Sequence, residues 1–188
     1  MEARTPHSPW SLHTIIAATV DRLVRICALL PYGVIALLAR IVMARVFFLA
    51  GQGKISGPRI PLHLGLPGSD LNLLDLTVIL PAEIKDSTLQ LFETHYPHPP
   101  VPPDIAAYLV TYAEFIAPIC LLIGFATRFA ALTLLAMTIL LQIYVAPALW
   151  WSHHVYWICL LLILVARGPG AASIDALLRY LYEPSRIA

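Results

Sequence analysis

Four stretches of this chain are apolar for long enough to cross a lipid bilayer, and no other feature restricts its fold as much. A helix needs about 20 consecutive apolar residues to span the hydrocarbon core. Residues 32–53, 105–125, 129–149 and 150–166 reach or approach that length. Inside a bilayer each backbone polar group must be satisfied within the protein, so such stretches are read as helices. Only Ala126-Thr127-Arg128 separates the second from the third, and a short link beginning near Pro147 separates the third from the fourth. Short links make antiparallel neighbours. The expected architecture is therefore an all-α polytopic membrane protein, a four-transmembrane-helix antiparallel bundle. Composition agrees: 59% of the residues are hydrophobic, 12% are charged and mean hydropathy is +0.78. A soluble domain is about a quarter charged. The net charge of +1 provides no basic field for nucleic acid.

Four spans bring both termini to one side. That side would hold Arg4, Arg22, Arg25, Arg128, Arg167, Arg179 and Arg186, and the other only Lys54, Arg59 and Lys85 as basic residues. The other side also collects Asp70, Asp75, Glu83, Asp86, Glu93 and Asp104. The positive-inside rule then makes both termini cytoplasmic, in a bacterial plasma membrane. Three regions follow: a cytoplasmic segment 1–31, a membrane domain 32–166 and a cytoplasmic tail 167–188. In 12–30, the apolar residues gather on one helical face and Asp21, Arg22 and Arg25 near the other, as in a helix lying on the interface. Those charges interrupt the first apolar stretch and no clear cleavage site follows, so no secretory signal peptide is expected.

The loop 55–104 faces outward and ends in the proline-rich run PHPPVPPD. Asp70 to Leu80 and Ser87 to His95 are expected to form short helices. A loop this long in a small membrane protein suits a lid or a docking surface. After the fourth span Gly168-Pro169-Gly170 breaks the helix. Ser173 can cap a new one, with Asp175 in its first turn and Ile174, Leu177, Leu178 and Leu181 as its apolar face. Cys27, Cys120 and Cys159 are isolated in apolar sequence, with no CxxC, and are expected to pack as small core hydrophobes.

An ionisable residue inside a span marks a functional site by default. Counting about 1.5 Å per residue puts Arg40, Arg45, Glu114 and Gln142 all at middle depths, where they can meet. Glu114 is read as the counter-ion of Arg45, Arg40 or both. Pro118 has no N–H to give to the Glu114 carbonyl four residues earlier, which leaves a polar spot suited to water, a proton or a ligand. Arg40, Phe47, Gly51 and Lys54 share one face of the first span, and Arg45 and Gln52 another. Gly51 and Gly53 would let a neighbouring helix approach closely. Lys54 is expected to snorkel to the outer interface.

His153 and His154 lie at the outer end of the fourth span among Trp150, Trp151, Tyr156 and Trp157, an interfacial aromatic belt. They can serve as interfacial hydrogen-bonding groups, as proton carriers or as donors to a quinone ring. Arg128 in the tight turn is an anchor at the positive side. Glu93, His95 and His98 sit in extended proline-rich chain, and no metal site is expected there. The sequence has no nucleophile elbow, phosphate loop or dinucleotide fingerprint.

ARIVMARVFFLAGQGKI, PPDIAAYLVTYAEFIAPICLLIGFATRFAALTLLAMT and ARGPGAASIDALL resemble the DoxX family of small membrane proteins. The resemblance rests on Arg40, Gly51 and Lys54, then on Glu114, and then on Leu121, Gly124, Thr127 and Arg128. It closes on Gly168, Gly170, Ser173 and Asp175. Pro147, Trp150 and His153 resemble a proteobacterial subgroup. Ala44 stands where the family usually has glycine, and Arg45 falls outside the pattern. The resemblance implies a four-helix membrane fold and, through some relatives, a link to membrane oxidoreductases and quinones.

The expected function is that of a membrane subunit or accessory of a quinone-linked redox system. Glu114, Arg40 and His153 would handle protons and ligand, with Arg45, Lys54, Gln142, Arg128 and His154 as further ligand-binding candidates. No protein-encoded redox centre is seen, so electrons would come from a partner protein or the ligand. The partners are the bilayer, a redox protein and a second copy of the chain, without nucleic acid. A non-enzymatic membrane anchor and a small-solute or proton carrier are the alternatives.

Overall fold

The computed structural model describes residues 12–65, 72–95 and 101–182, and the side chains of most of these. Arg4, Arg186, Asp70 and His98 lie outside the described residues, and so does part of the proline-rich run.

Helix α1 (Leu12–Ala28) precedes the first span, and Pro31 separates the two as the N-cap of α2 (Tyr32–Lys54). The next spans are α4 (Pro103–Ile123) and α5 (Thr127–Tyr144). The last apolar helix, Pro147–Arg167, opens with a 3-10 turn (Pro147–Leu149) and a π-helical turn (Trp150–His154) before regular α6 (Val155–Arg167). These four helices are long and apolar enough to span a membrane, and α2 packs on α4, α4 on α5, α5 on α6 and α6 on α2. The ring closes around Ala36, Met43, Phe47, Leu121, Leu134 and Leu161, all nearly fully buried. Much of the remaining surface is large and apolar, including Phe129 at 76% exposure, as a lipid-facing protein requires.

The loop departs from expectation in one half. Asn72–Ile79 is not helical but a strand, β3, antiparallel to β2 (Arg59–Gly65). Its Thr77-Val78-Ile79 run suits an extended chain, and the partner strand supplies the ladder that a short lone helix would lack. The other half agrees: α3 (Asp86–His95) is a helix, laid against α4. Two-residue strands β1 (Ile55–Ser56) and β4 (Glu83–Ile84) pair beneath it. Gln52 ties this cap to the bundle. Its side-chain N–H donates to the Ile79 carbonyl at 3.2 Å, and its Oε1 accepts the Ile79 N–H at 2.5 Å.

At the opposite end the chain turns twice. Gly124 (φ +74°) ends α4, and Ala126 (φ +46°) leads into α5. The final helix, α7 (Ile174–Tyr182), follows Gly168 and Gly170, both at positive φ. Ser173 caps it as expected, its Oγ accepting the Ala176 N–H at 3.1 Å. The apolar residues of α7 and of α1 stay exposed, Leu181 at 61% and Leu23 at 57%, as for helices lying on a membrane surface. Of the cysteines, Cys27 and Cys159 are exposed and do not join the core, while Cys120 is half-buried and packs against it.

Candidate functional site

Polar residues within the bundle separate into three groups, and the expected meeting of Arg40, Arg45, Glu114 and Gln142 does not occur. The apolar stripe of α4 carries Ala107, Thr111, Glu114, Pro118 and Leu121 inward at steps of three and four. Glu114 is 2% exposed and pairs with Lys54, the last residue of α2. Lys54 is thus the counter-ion in place of Arg40 or Arg45. Its side chain turns inward to the carboxylate, and only 20% of it remains exposed.

Gly51 permits this contact. A Cβ there would stand 3.0 Å from the Glu114 Cβ and 3.1 Å from its carbonyl oxygen. That carbonyl is the one Pro118 cannot serve. Gly53 has open space around it and takes no part in the close approach. Above the pair, the Lys54 carbonyl accepts the Lys85 N–H and the Thr88 hydroxyl, both at 3.1 Å. Lys85 Nζ donates to the Gly53 carbonyl at 2.8 Å. The start of α3 therefore clamps the end of α2 that presents Lys54. Thr111, one turn before Glu114, is 1% exposed and its hydroxyl has no hydrogen-bond partner.

Arg40 belongs to the opposite end, where α2 begins and the start of α7 meets the α4–α5 turn. It is fully buried and donates from Nη2 to the Ala172 carbonyl at 2.5 Å, while Nε and Nη1 have no partner. Its Nη1 packs on Gly124, where an added Cβ would lie 2.1 Å away. Asp175 accepts the Ala126 and Thr127 N–H groups at 2.8 and 2.9 Å, and so caps α5 from a different helix. Tyr32 donates its hydroxyl to the Gly168 carbonyl at 2.7 Å, and Arg167 lies over the Tyr32 ring. Arg128 is exposed, with its guanidinium against Gly168.

The third group is at the far end. His154 is 3% exposed, and its Nδ1 meets Gln142 Oε1 at 2.5 Å. Gln142 also donates to the Pro147 carbonyl at 2.9 Å, across the gap that Pro147 opens in the helix. Trp157 touches His154 on one side and Phe47 of α2 on the other. His153 is exposed and meets Ser152 Oγ and the Trp157 edge. Arg45, expected near Glu114, faces outward with no hydrogen bond or ion pair among the described residues. Among the described residues no three His, Cys, Asp or Glu side chains cluster as a metal would need.

Sequence reasoning missed the Gln52 clasp, the cross-helix cap by Asp175 and the unpartnered Thr111 hydroxyl. Asp175 was visible as a motif residue, but a cap reaching back 49 residues leaves no periodic signal.

An apolar groove of about 440 Å³ runs between α4 and α5. Tyr108, Tyr112, Ala113, Ala117, Cys120 and Phe129 line part of it. Ala117, three residues after Glu114, belongs both to this groove and to the core.

Fold and site together define a small four-helix membrane protein with a buried ion pair clamped under an extramembrane cap. The chain belongs to the DoxX family, whose model matches residues 35–147, more than half of its length. That range includes Arg40, Gly51, Lys54, Glu114, Gly124 and Thr127. It stops before Trp150, His153 and the Gly168–Asp175 crossing. No curated protein and no solved structure shows significant similarity to the chain.

Proposed function

We propose that the chain is a membrane subunit of a quinone-linked redox system, set in a bacterial inner membrane with both termini cytoplasmic. The observation that carries this reading is the Lys54–Glu114 pair, the one ion pair among the described residues, enclosed in an apolar bundle. A buried pair of this kind is weak support for stability, because an apolar replacement often does as well. Its presence in an apolar bundle therefore suits a chemical use. Converting a quinone to a quinol takes up two electrons and two protons. The electrons come from a partner protein. The protons need a carboxylate and an ammonium that can exchange them within hydrogen-bond reach of the ring oxygens. Lys54, Glu114 and the free Thr111 hydroxyl offer both donors and acceptors. The α4–α5 groove provides an apolar bed for the isoprenoid tail. His153 would exchange protons at the outer surface, with His154 and Gln142 behind it. Arg40 and Arg128 hold the opposite end and position the helices in this reading.

Native mass spectrometry with lipid extraction, on wild type and Glu114→Gln in mild detergent, tests it. A quinone retained by wild type and lost from the folded variant supports the reading. Absence of quinone from both, with a protein partner retained by both, overturns it. Strands β2 and β3 favour a second reading, a membrane anchor whose cap docks partners, because each has one unpaired edge among the described residues. Loss of the partner on shortening that hairpin, with the bundle intact, would select the anchor.

A further inference from the structure

Arg45 is the one charged residue among the described spans that faces outward from the middle of its helix. It lies 13 residues from Tyr32 and nine from Lys54, or about 20 and 14 Å along the axis. Leu38, Ile41, Val42 and Leu49 surround it on the same face, exposed by 57, 41, 49 and 38%. No side chain of the bundle bonds to it among the described residues. A charge within a span is almost always paired or set against water, and snorkelling rescues residues near helix ends. Arg45 has neither relief.

We propose that the Arg45 face of α2 docks a transmembrane helix of another membrane protein, one that carries an aspartate or glutamate at the same depth. A guanidinium presents a planar fork that a carboxylate accepts at two points, and removal of both charges from lipid would make the contact selective. A second copy of this chain does not fit. In a cyclic dimer about the membrane normal every residue keeps its depth. Gly51 against Glu114 sets the level of the carboxylate. Arg45 is six residues, about 9 Å, from that level toward the Tyr32 end of α2. Asp104 is ten residues, about 15 Å, from it in the opposite direction. Glu114 is moreover buried and held by Lys54. Asp175 has both oxygens on backbone N–H groups. Asp21 precedes Pro31 and lies outside the span. The depth of Arg45 thus calls for a carboxylate that none of the described residues supplies. The inference stands whether or not the Lys54–Glu114 site takes a quinone.

The test is photocrosslinking in membranes of cells that make the protein naturally, with the reactive residue at Leu38, Ile41 or Leu49 in turn. Peptides are mapped by mass spectrometry for wild type, Arg45→Leu and Arg45→Lys. The expected product is a span of a different protein with Asp or Glu within about one helical turn of the cross-linked depth. Its yield falls about tenfold or more in Arg45→Leu and less in Arg45→Lys, as for loss of one partner of a desolvated pair. Exchanging the charges, Arg45→Asp against the partner's acid changed to arginine, restores it. Cross-links only to lipid, only to a second copy, or to a span without a carboxylate overturn the proposal. A yield that Arg45→Leu leaves unchanged also overturns it. Retention of the wild-type melting temperature by the purified variants shows that folding is not what changed.

Discussion

The two ends of the bundle use the same kinds of charge in opposite ways. At the capped end a carboxylate and an ammonium meet each other, Glu114 to Lys54. At the opposite end, where α7 meets the α4–α5 turn, the carboxylate and the guanidinium both turn to the backbone: Asp175 takes two amide N–H groups, and Arg40 gives to a carbonyl. A charge bound to backbone groups fixes where a chain turns. It holds the strained Ala126 at φ +46° and the crossing of α7 over the α4–α5 turn. A charge bound to another side chain fixes little of the path, and either partner can be offered to something else. The difference assigns the α7 end to architecture and leaves the capped end free for chemistry.

The sharpest way to break the comparison is to separate the ion pair. Lys54→Met leaves Glu114 buried without a partner and should destabilise the protein by about 3–5 kcal/mol. The double variant Lys54→Met/Glu114→Leu should recover most of that loss, because the burden is the unpaired charge rather than the missing attraction. Tryptophan-monitored melting in detergent reads both. A double variant as unstable as the single one would make the capped end architectural too. Next in size is Gly124→Ala. It places a Cβ against Arg40 and forces a positive φ on alanine, for about 3 kcal/mol. Asp175→Ala exposes two amide groups at the start of α5 and should cost about 2 kcal/mol. Glu114 and Gly124 lie ten residues apart on α4, about 15 Å, so Asp175→Ala and Glu114→Gln should add in the double variant. Marked non-additivity would show that the two ends act as one unit.

Long-period features of this molecule were legible in the sequence. Four apolar helices, the tight α4–α5 turn, the amphipathic α1 and the Ser173 cap all follow from hydropathy and local turn chemistry, and each is present. Partner choice was not legible. Counting from the helix ends made Arg40, Arg45 and Glu114 appear able to meet, but it fixes neither the register of α2 against α4, which sets Gly51 opposite Glu114, nor the azimuth of each side chain. Arg40 points inward but eleven residues from the Gly51 that faces Glu114, and toward Ala172, while Arg45 points outward. The helix-end position of Lys54 suits snorkelling as well as ligand binding, and nothing in its local sequence shows that its side chain pairs inward with Glu114 while Lys85 and Thr88 hold its carbonyl. The strand Asn72–Ile79 was hidden for a related reason, since its apolar residues satisfy a helical period nearly as well as an alternating one and only the pairing with β2 decides.

Two glycines of α2, two residues apart, give the finest test of how the capped end is built. The sequence alone treats Gly51 and Gly53 alike, as small residues for close helix contact. In the structure only Gly51 faces α4, and the atoms its Cβ would meet include the α4 backbone, which cannot yield as a flexible side chain can. Gly51→Ala should therefore push the two helices apart, weaken the Lys54–Glu114 contact and cost about 1–2 kcal/mol. Gly53 meets nothing within 4 Å, so Gly53→Ala should gain helix propensity without a clash and stabilise by up to about 0.5 kcal/mol. Opposite signs in two melting curves would fix the face of α2 that carries the site. A loss of equal size in both would mean that α2 meets α4 at a different rotation, with Lys54 turned away from Glu114.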